Sequence, residues 1–170
     1  MIARYTTPGL NEETIECMQR LVQANIDSRD SYRSAARQLG SDWNSLKATF
    51  ERITRERDEQ ARALQSILWC NFRTASVSRS MSSSLHGVLV NLRATFGDTP
   101  SALLDEALQI EEDIRQQYVD VLDIIQGRAI RQLLQEQLEA VLVSNERIRT
   151  MNDVCRKSRR QSEKGNDAAP

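Results

Sequence analysis

Four long segments of the chain carry apolar residues at alternating spacings of three and four, and each has a charged or amide residue on the same stripe. The first stripe consists of Ile15, Met18, Val22, Asn25, Arg29, Tyr32, Ala36 and Leu39. The third consists of Leu104, Ala107, Glu111, Ile114, Tyr118, Val121 and Ile125. Such spacing places residues on one face of an α-helix that packs against other helices. A charge on that face must be paired, bind a metal or reach water, because an isolated buried charge is very costly.

The pattern predicts an all-α fold with one helical-bundle domain over residues 1–156 and a disordered polar tail over 157–170. Asn11 is the expected N-cap of the first helix, Gly40 follows its end, and Ser41 is the expected cap of the second. The long helices are predicted at residues 11–39, 42–72, 100–126 and 128–156.

The link between the second and third long helices is much longer than the other two links and contains a short predicted helix at residues 83–96. We therefore expect a four-helix bundle with one long crossover, in which the second and third helices run in the same direction. This topology would bring Arg29, Glu111 and Asn145 to one level, about 15 Å from one end of the bundle. Arg57 would lie about one turn deeper, level with Asn25.

Composition excludes several classes of function. The formal net charge of −1 gives the chain no general attraction to nucleic acid, and the basic cluster at residues 156–160 is a weak signal for it. No apolar segment is long enough for a membrane span, and the first residues lack the apolar core of a signal peptide. The three scattered cysteines lack metal-ligand spacing and suit reduced thiols. These features predict a cytoplasmic protein.

A set of residues in a fixed order links the chain to a known family. They are Asp27, Tyr32, Ala35 and Ala36; Arg57, Leu64 and Gln65; His86, Leu89, Leu92 and Arg93; and Glu111, Tyr118 and Leu122. Over residues 11–152 the chain resembles the bacterial ferritin-like four-helix-bundle proteins of unknown function that are distantly akin to rubrerythrins. The resemblance implies a ferritin-like fold with one crossover and no established enzymatic activity.

The chain departs from the ferritin-like metal proteins at the positions that would bind metal. Those proteins have a Glu on the first helix, where this chain has Arg29, and Glu-x-x-His motifs on the second and fourth helices. No Glu-x-x-His occurs here, and Asn145 stands where related chains often have His. If a metal site exists, Glu111 is its best candidate ligand.

Our preferred interpretation is a buried polar layer in place of a metal centre. Glu111 would pair with Arg29, Arg57 or both, since guanidinium stays charged and binds carboxylates bidentately. Asn25, Gln60 and Asn145 would supply further hydrogen bonds. The alternative is that these side chains stay near water at a helix seam. His86 is expected to be a hydrogen-bonded structural histidine, because no arrangement around it forms a catalytic triad.

These observations predict a non-catalytic bundle without a cofactor, with a stress-associated or protein-interaction role and a degenerate metal site. Its partner would be an unknown protein or a second copy of the chain. The alternative is a carboxylate-bridged di-iron or di-manganese protein with oxidase or storage chemistry. Such a centre needs about four carboxylates and usually two histidines, and the chain has a single histidine.

Overall fold

The four amphipathic segments form four α-helices, as the sequence predicts. The structure, a computed structural model, describes residues 10–71 and 100–166. The helices are α1 (Glu12–Gln38), α2 (Asn44–Asn71), α3 (Pro100–Ile124) and α4 (Arg128–Asn166). A short 3-10 helix, Ser41–Trp43, precedes α2. The predicted crossover helix at residues 83–96 lies outside the described residues.

The connection between α1 and α2 differs in detail from its prediction. Asn11 caps α1 as expected, since its side chain accepts a hydrogen bond from the Thr14 amide at 2.8 Å. The helix ends where Leu39 becomes extended, and Gly40 has a φ of −74°, so the link does not use the left-handed conformation that favours glycine. Ser41 begins the 3-10 helix instead of capping α2.

Contacts between side chains fix the directions of the helices. Tyr32 meets Glu111, and Asn25 meets Tyr118, so residue numbers fall along α1 as they rise along α3. These two helices are therefore antiparallel. Because the tight link also makes α1 antiparallel to α2, the helices α2 and α3 run in the same direction. A chain must travel the length of the bundle to connect two such helices.

The core lies between all four helices and is mainly aliphatic. Its aromatic members include Tyr118 and Tyr32, and Tyr32 packs against Phe50 with ring centroids 5.1 Å apart and the rings tilted by 59°. The core contains fully buried residues from every helix, including Met18, Leu21, Ile53, Leu64, Leu104, Ile114, Ile130, Leu134, Val141 and Ile148. This packing holds the polar side chains of the stripes at fixed positions inside the bundle.

The fourth helix is longer than its sequence pattern indicates. It continues to Asn166, so residues 157–166 are helical where an irregular tail was predicted. Within the described residues, none of the helices has the length and apolarity needed to cross a membrane. Cys17, Cys70 and Cys155 are all free thiols.

Candidate functional site

The centre of the bundle contains an ion pair that is completely shielded from water. Glu111 on α3 and Arg57 on α2 both have side chains that are 0% exposed. The Arg57 Nη2 atom donates to Glu111 Oε2 at 2.5 Å, and the Tyr32 hydroxyl donates to Glu111 Oε1 at 2.9 Å. Each carboxylate oxygen therefore has its own donor, which is how a buried charge is tolerated.

A series of hydrogen bonds connects this ion pair to α4. Arg57 Nη1 donates to Gln60 Oε1 at 2.8 Å, and Gln60 Nε2 donates to the Gln137 carbonyl at 3.2 Å. Gln137 in turn accepts from the Tyr118 hydroxyl at 3.0 Å. The Asn25 amide donates to Tyr118 at 3.2 Å and to the Leu21 carbonyl at 2.9 Å.

We call these seven side chains the core network. Its members are Asn25, Tyr32, Arg57, Gln60, Glu111, Tyr118 and Gln137. They come from all four helices, so the network fixes the register of each helix against the others. One polar atom in it is left over: Arg57 Nε is buried without a hydrogen-bond partner in the described structure. Such an unpaired donor lowers the stability of the folded state.

Burial controls the protonation of the network. It raises the pKa of Glu111 above the ordinary value, and this effect exceeds the opposing influence of the Arg57 charge and the Tyr32 hydrogen bond. Burial also raises the pKa of Tyr32 well above its usual range, with the Glu111 charge adding to the increase. The pKa of Tyr118 is likewise raised, mainly by burial. Both tyrosines therefore stay protonated and act as hydrogen-bond donors.

Four of the residues predicted for the polar layer lie together in the core network: Arg57, Glu111, Gln60 and Asn25. Arg29 does not join them. Its side chain is 22% exposed and donates to Asp30 and Asp58, both at 2.9 Å. One helical turn further along α1, Tyr32 takes the place opposite Glu111 instead.

Asn145 is also placed differently from its prediction. It is buried on α4, but its side chain accepts from Arg149 at 3.5 Å rather than bonding to the Arg57–Glu111 pair. Its neighbour Ser144 donates to Glu56 at 3.1 Å, and Glu56 also accepts from Arg52. His86 lies outside the described residues.

Three members of the network were not part of the predicted polar layer: Tyr32, Tyr118 and Gln137. The two tyrosines lie on the first and third predicted stripes, where they suggested core packing with a hydroxyl partner. Gln137 lies on the predicted stripe of the fourth helix, between Leu134 and Val141. The signal that could have identified them is the same one that identified Glu111, a polar atom on a helix face that must be buried. Since each stripe contains several such residues, the partners depend on the exact rotation of each helix.

The chemistry of the described residues differs from that of a dimetal centre. Across residues 10–71 and 100–166, no group of three or more His, Cys, Asp and Glu side chains is placed to hold a metal ion. Glu111 already accepts hydrogen bonds at both oxygens, one of them from a cation. The arrangement can therefore neutralise a buried carboxylate and lock helix register, whereas a metal site would require further anionic ligands.

Replacing Tyr118 by phenylalanine tests the second half of the network. The change deprives Gln137 Oε1 of its donor while keeping the ring in the core. We expect the free energy of unfolding to fall by about 1–3 kcal/mol, the cost of leaving a buried acceptor unpaired. Urea denaturation followed by circular dichroism would measure it. The control is Ser66→Ala, which removes an exposed hydroxyl bonded only within its own helix. Similar losses in both variants would contradict a role for the buried hydroxyl.

Comparison with known proteins assigns the chain to a family. The model of a family described as "Domain of unknown function (DUF2383)" matches residues 13–124. This span contains α2, α3 and all of α1 except Glu12, and so includes every member of the core network except Gln137. A search of curated proteins finds no match. Because the family model covers more than half of the sequence, the chain belongs to the DUF2383 family.

Proposed function

We propose that this chain is a non-catalytic, ferritin-like bundle in which a guanidinium group occupies the place that metal ions take in related carboxylate proteins. Its role would be a stress-associated or protein-interaction role in the cytoplasm. The main support for the proposal is the ion pair between Arg57 and Glu111, which is fully buried. The common direction of α2 and α3 supports the ferritin-like topology. The three free cysteines suit a reducing compartment.

Electrostatics is the main argument against a metal ion at this carboxylate. Arg57 Nη2 lies 2.5 Å from Glu111 Oε2, so a divalent cation bound to Glu111 would meet a fixed positive charge a few ångströms away. Repulsion between such charges is strong in a protein interior, where the effective dielectric constant is far below that of water. The carboxylate would have to exchange its arginine partner for the metal, which would leave the guanidinium buried and unpaired.

An interaction role has support on the surface of α2 and α4. Trp69 on α2 is 81% exposed, and Leu142 and Val143, which are consecutive residues of α4, are 46% and 56% exposed. Such side chains mark a surface that a partner protein covers where they lie together in one apolar patch.

The competing function is a carboxylate-bridged di-iron or di-manganese protein. One observation favours it: Glu56 lies close enough to Glu111 for its charge to raise the pKa of Glu111. Glu56 from α2 and Glu111 from α3 would be two of the carboxylate ligands that such a centre requires. Glu56, however, already accepts from Arg52 and Ser144, so it too is neutralised by protein groups.

Metal analysis separates the two functions. We expect protein purified without chelators, from medium with added iron and manganese, to contain far less than one metal ion per chain. Its melting temperature should not change on addition of Fe²⁺ or Mn²⁺, because in the described part of the chain no group of three or more His, Cys, Asp and Glu side chains is placed to bind them. Elemental analysis and thermal unfolding provide the two measurements.

The opposite result would be about two metal ions per chain with a raised melting temperature, as mass action requires of a ligand that binds the folded state. The Glu111→Gln variant serves as the control in that event. A metal bound at the core should be lost in Glu111→Gln, whereas a metal bound at the surface should remain.

A further inference from the structure

A groove on the outside of the bundle carries an unusual concentration of positive charge. It lies between the last turns of α1 and the first half of α2 and has a volume of 310 Å³. Its charged lining consists of Arg33 and Arg37 from α1 and of Lys47, Glu51 and Arg55 from α2. Four cations and one carboxylate give it a formal excess of three positive charges, although the whole chain has a net charge of −1.

Protein carboxylates leave most of this charge uncompensated. Within residues 10–71 and 100–166, the ion pair of Arg33 is with Asp30, at 3.5 Å. Among the residues that the structure describes, Arg37, Lys47 and Arg55 form no ion pair. Glu51 lies four residues from both Lys47 and Arg55, yet it forms no ion pair with either of them. The cations are therefore free to bind an anion from solution.

Stabilisation of the helices explains only part of the pattern. Arg33 and Arg37 lie near the C-terminus of α1, where positive charge is favourable for the helix dipole. Lys47 lies in the first turn of α2, where the same dipole disfavours a cation. Arg55 lies near the middle of α2, outside the range of either end. The helix dipole thus gives no reason for placing Lys47 and Arg55 beside the two α1 arginines.

We propose that this groove binds a compact oligophosphate anion. Guanidinium groups match the geometry of phosphate oxygens bidentately, and a lysine adds a mobile point charge. The volume is at the lower end of the range for small-molecule sites, which suits two or three linked phosphate groups better than a bulky ligand. Glu51 opposes binding and limits the affinity. The site is separate from the core network, so its failure and that of the proposed function are distinguishable.

Calorimetric titration of the full chain with inorganic tripolyphosphate, at low and at physiological salt, tests the proposal. We expect saturable binding that weakens as salt rises, because the site is exposed. The double variant Arg37→Ala, Arg55→Ala should raise Kd by about tenfold, as two exposed charge contacts are lost. Glu51→Gln should lower Kd by about threefold, since it removes the repulsive charge.

Arg128→Ala is the matched control, because it removes an exposed arginine at the start of α4, away from the groove. Its Kd should equal that of the unaltered chain. The proposal is overturned by an absence of saturable binding, or by equal losses in the control and the double variant. Binding of a single-stranded oligonucleotide without binding of tripolyphosphate would also overturn it, because an extended basic surface would then be responsible. Thermal unfolding of each variant verifies that the fold is intact.

Discussion

Replacing Arg57 by alanine should lower the free energy of unfolding by about 3–5 kcal/mol, the cost of leaving a buried charge without its partner. Glu111 would remain completely buried, with the Tyr32 hydroxyl as its remaining side-chain donor. Gln60 Oε1 would lose its donor as well. Urea unfolding at neutral pH, followed by circular dichroism and by tryptophan fluorescence, gives the change directly.

The matched control is Arg29→Ala, an arginine on α1 that was predicted to share this role. Arg29 is 22% exposed, and its two carboxylate partners are accessible to water, so its loss should cost at most about 1 kcal/mol. Equal costs for the two arginines would show that burial does not set the importance of Arg57. A double variant, Arg57→Met with Glu111→Leu, should recover most of the lost stability, because it removes both charges together.

The contrast between these arginines shows how far the sequence could predict the site. Arg57 and Glu111 both lie on helix faces with regular apolar spacing, which favoured their burial as a pair over contact with water at a helix seam. The partner on α1 depended on the rotation of that helix, and one turn separates Arg29 from Tyr32. Positions along the bundle axis that are predicted from residue counts were too coarse to choose between Arg29 and Tyr32. An arginine with nearby surface carboxylates also avoids the desolvation that a buried position demands, which favours Tyr32 inside.

The end of α4 illustrates a different limit. Apolar spacing ends near residue 156, and the sequence therefore predicted an irregular tail. Residues 157–166 remain helical because Lys, Arg, Gln and Glu are good helix formers, and extending an existing helix costs little once it has been nucleated. Periodicity reports which helical residues face a core. It does not report whether a polar segment that continues from such a helix stays helical.

The second large effect should come from Glu111→Ala, again about 3–5 kcal/mol in the free energy of unfolding. This change leaves the Arg57 guanidinium buried with Gln60 as its remaining acceptor, and it opens a cavity in the core. Glu111→Gln should cost less, because glutamine fills the same volume and keeps one oxygen that can accept from Arg57 or Tyr32. Equal, near-zero losses for the two variants would instead mean that this side chain is in contact with water.

The unaltered chain and Glu111→Gln should also differ in how their free energies of unfolding depend on pH. Burial raises the folded-state pKa of Glu111 above its ordinary value of 4.5, so between these two pKa values the folded chain binds more protons than the unfolded chain. That contribution to stability is fully present below pH 4.5 and is lost as the pH rises through the folded-state pKa. The Gln variant has no such contribution. The stability advantage of the unaltered chain over Glu111→Gln should therefore shrink as the pH rises from 4.5 through the folded-state pKa, as measured by denaturant titrations at a series of pH values. An advantage that grows over this interval would mean that pairing with Arg57 outweighs desolvation and that the folded-state pKa lies below 4.5.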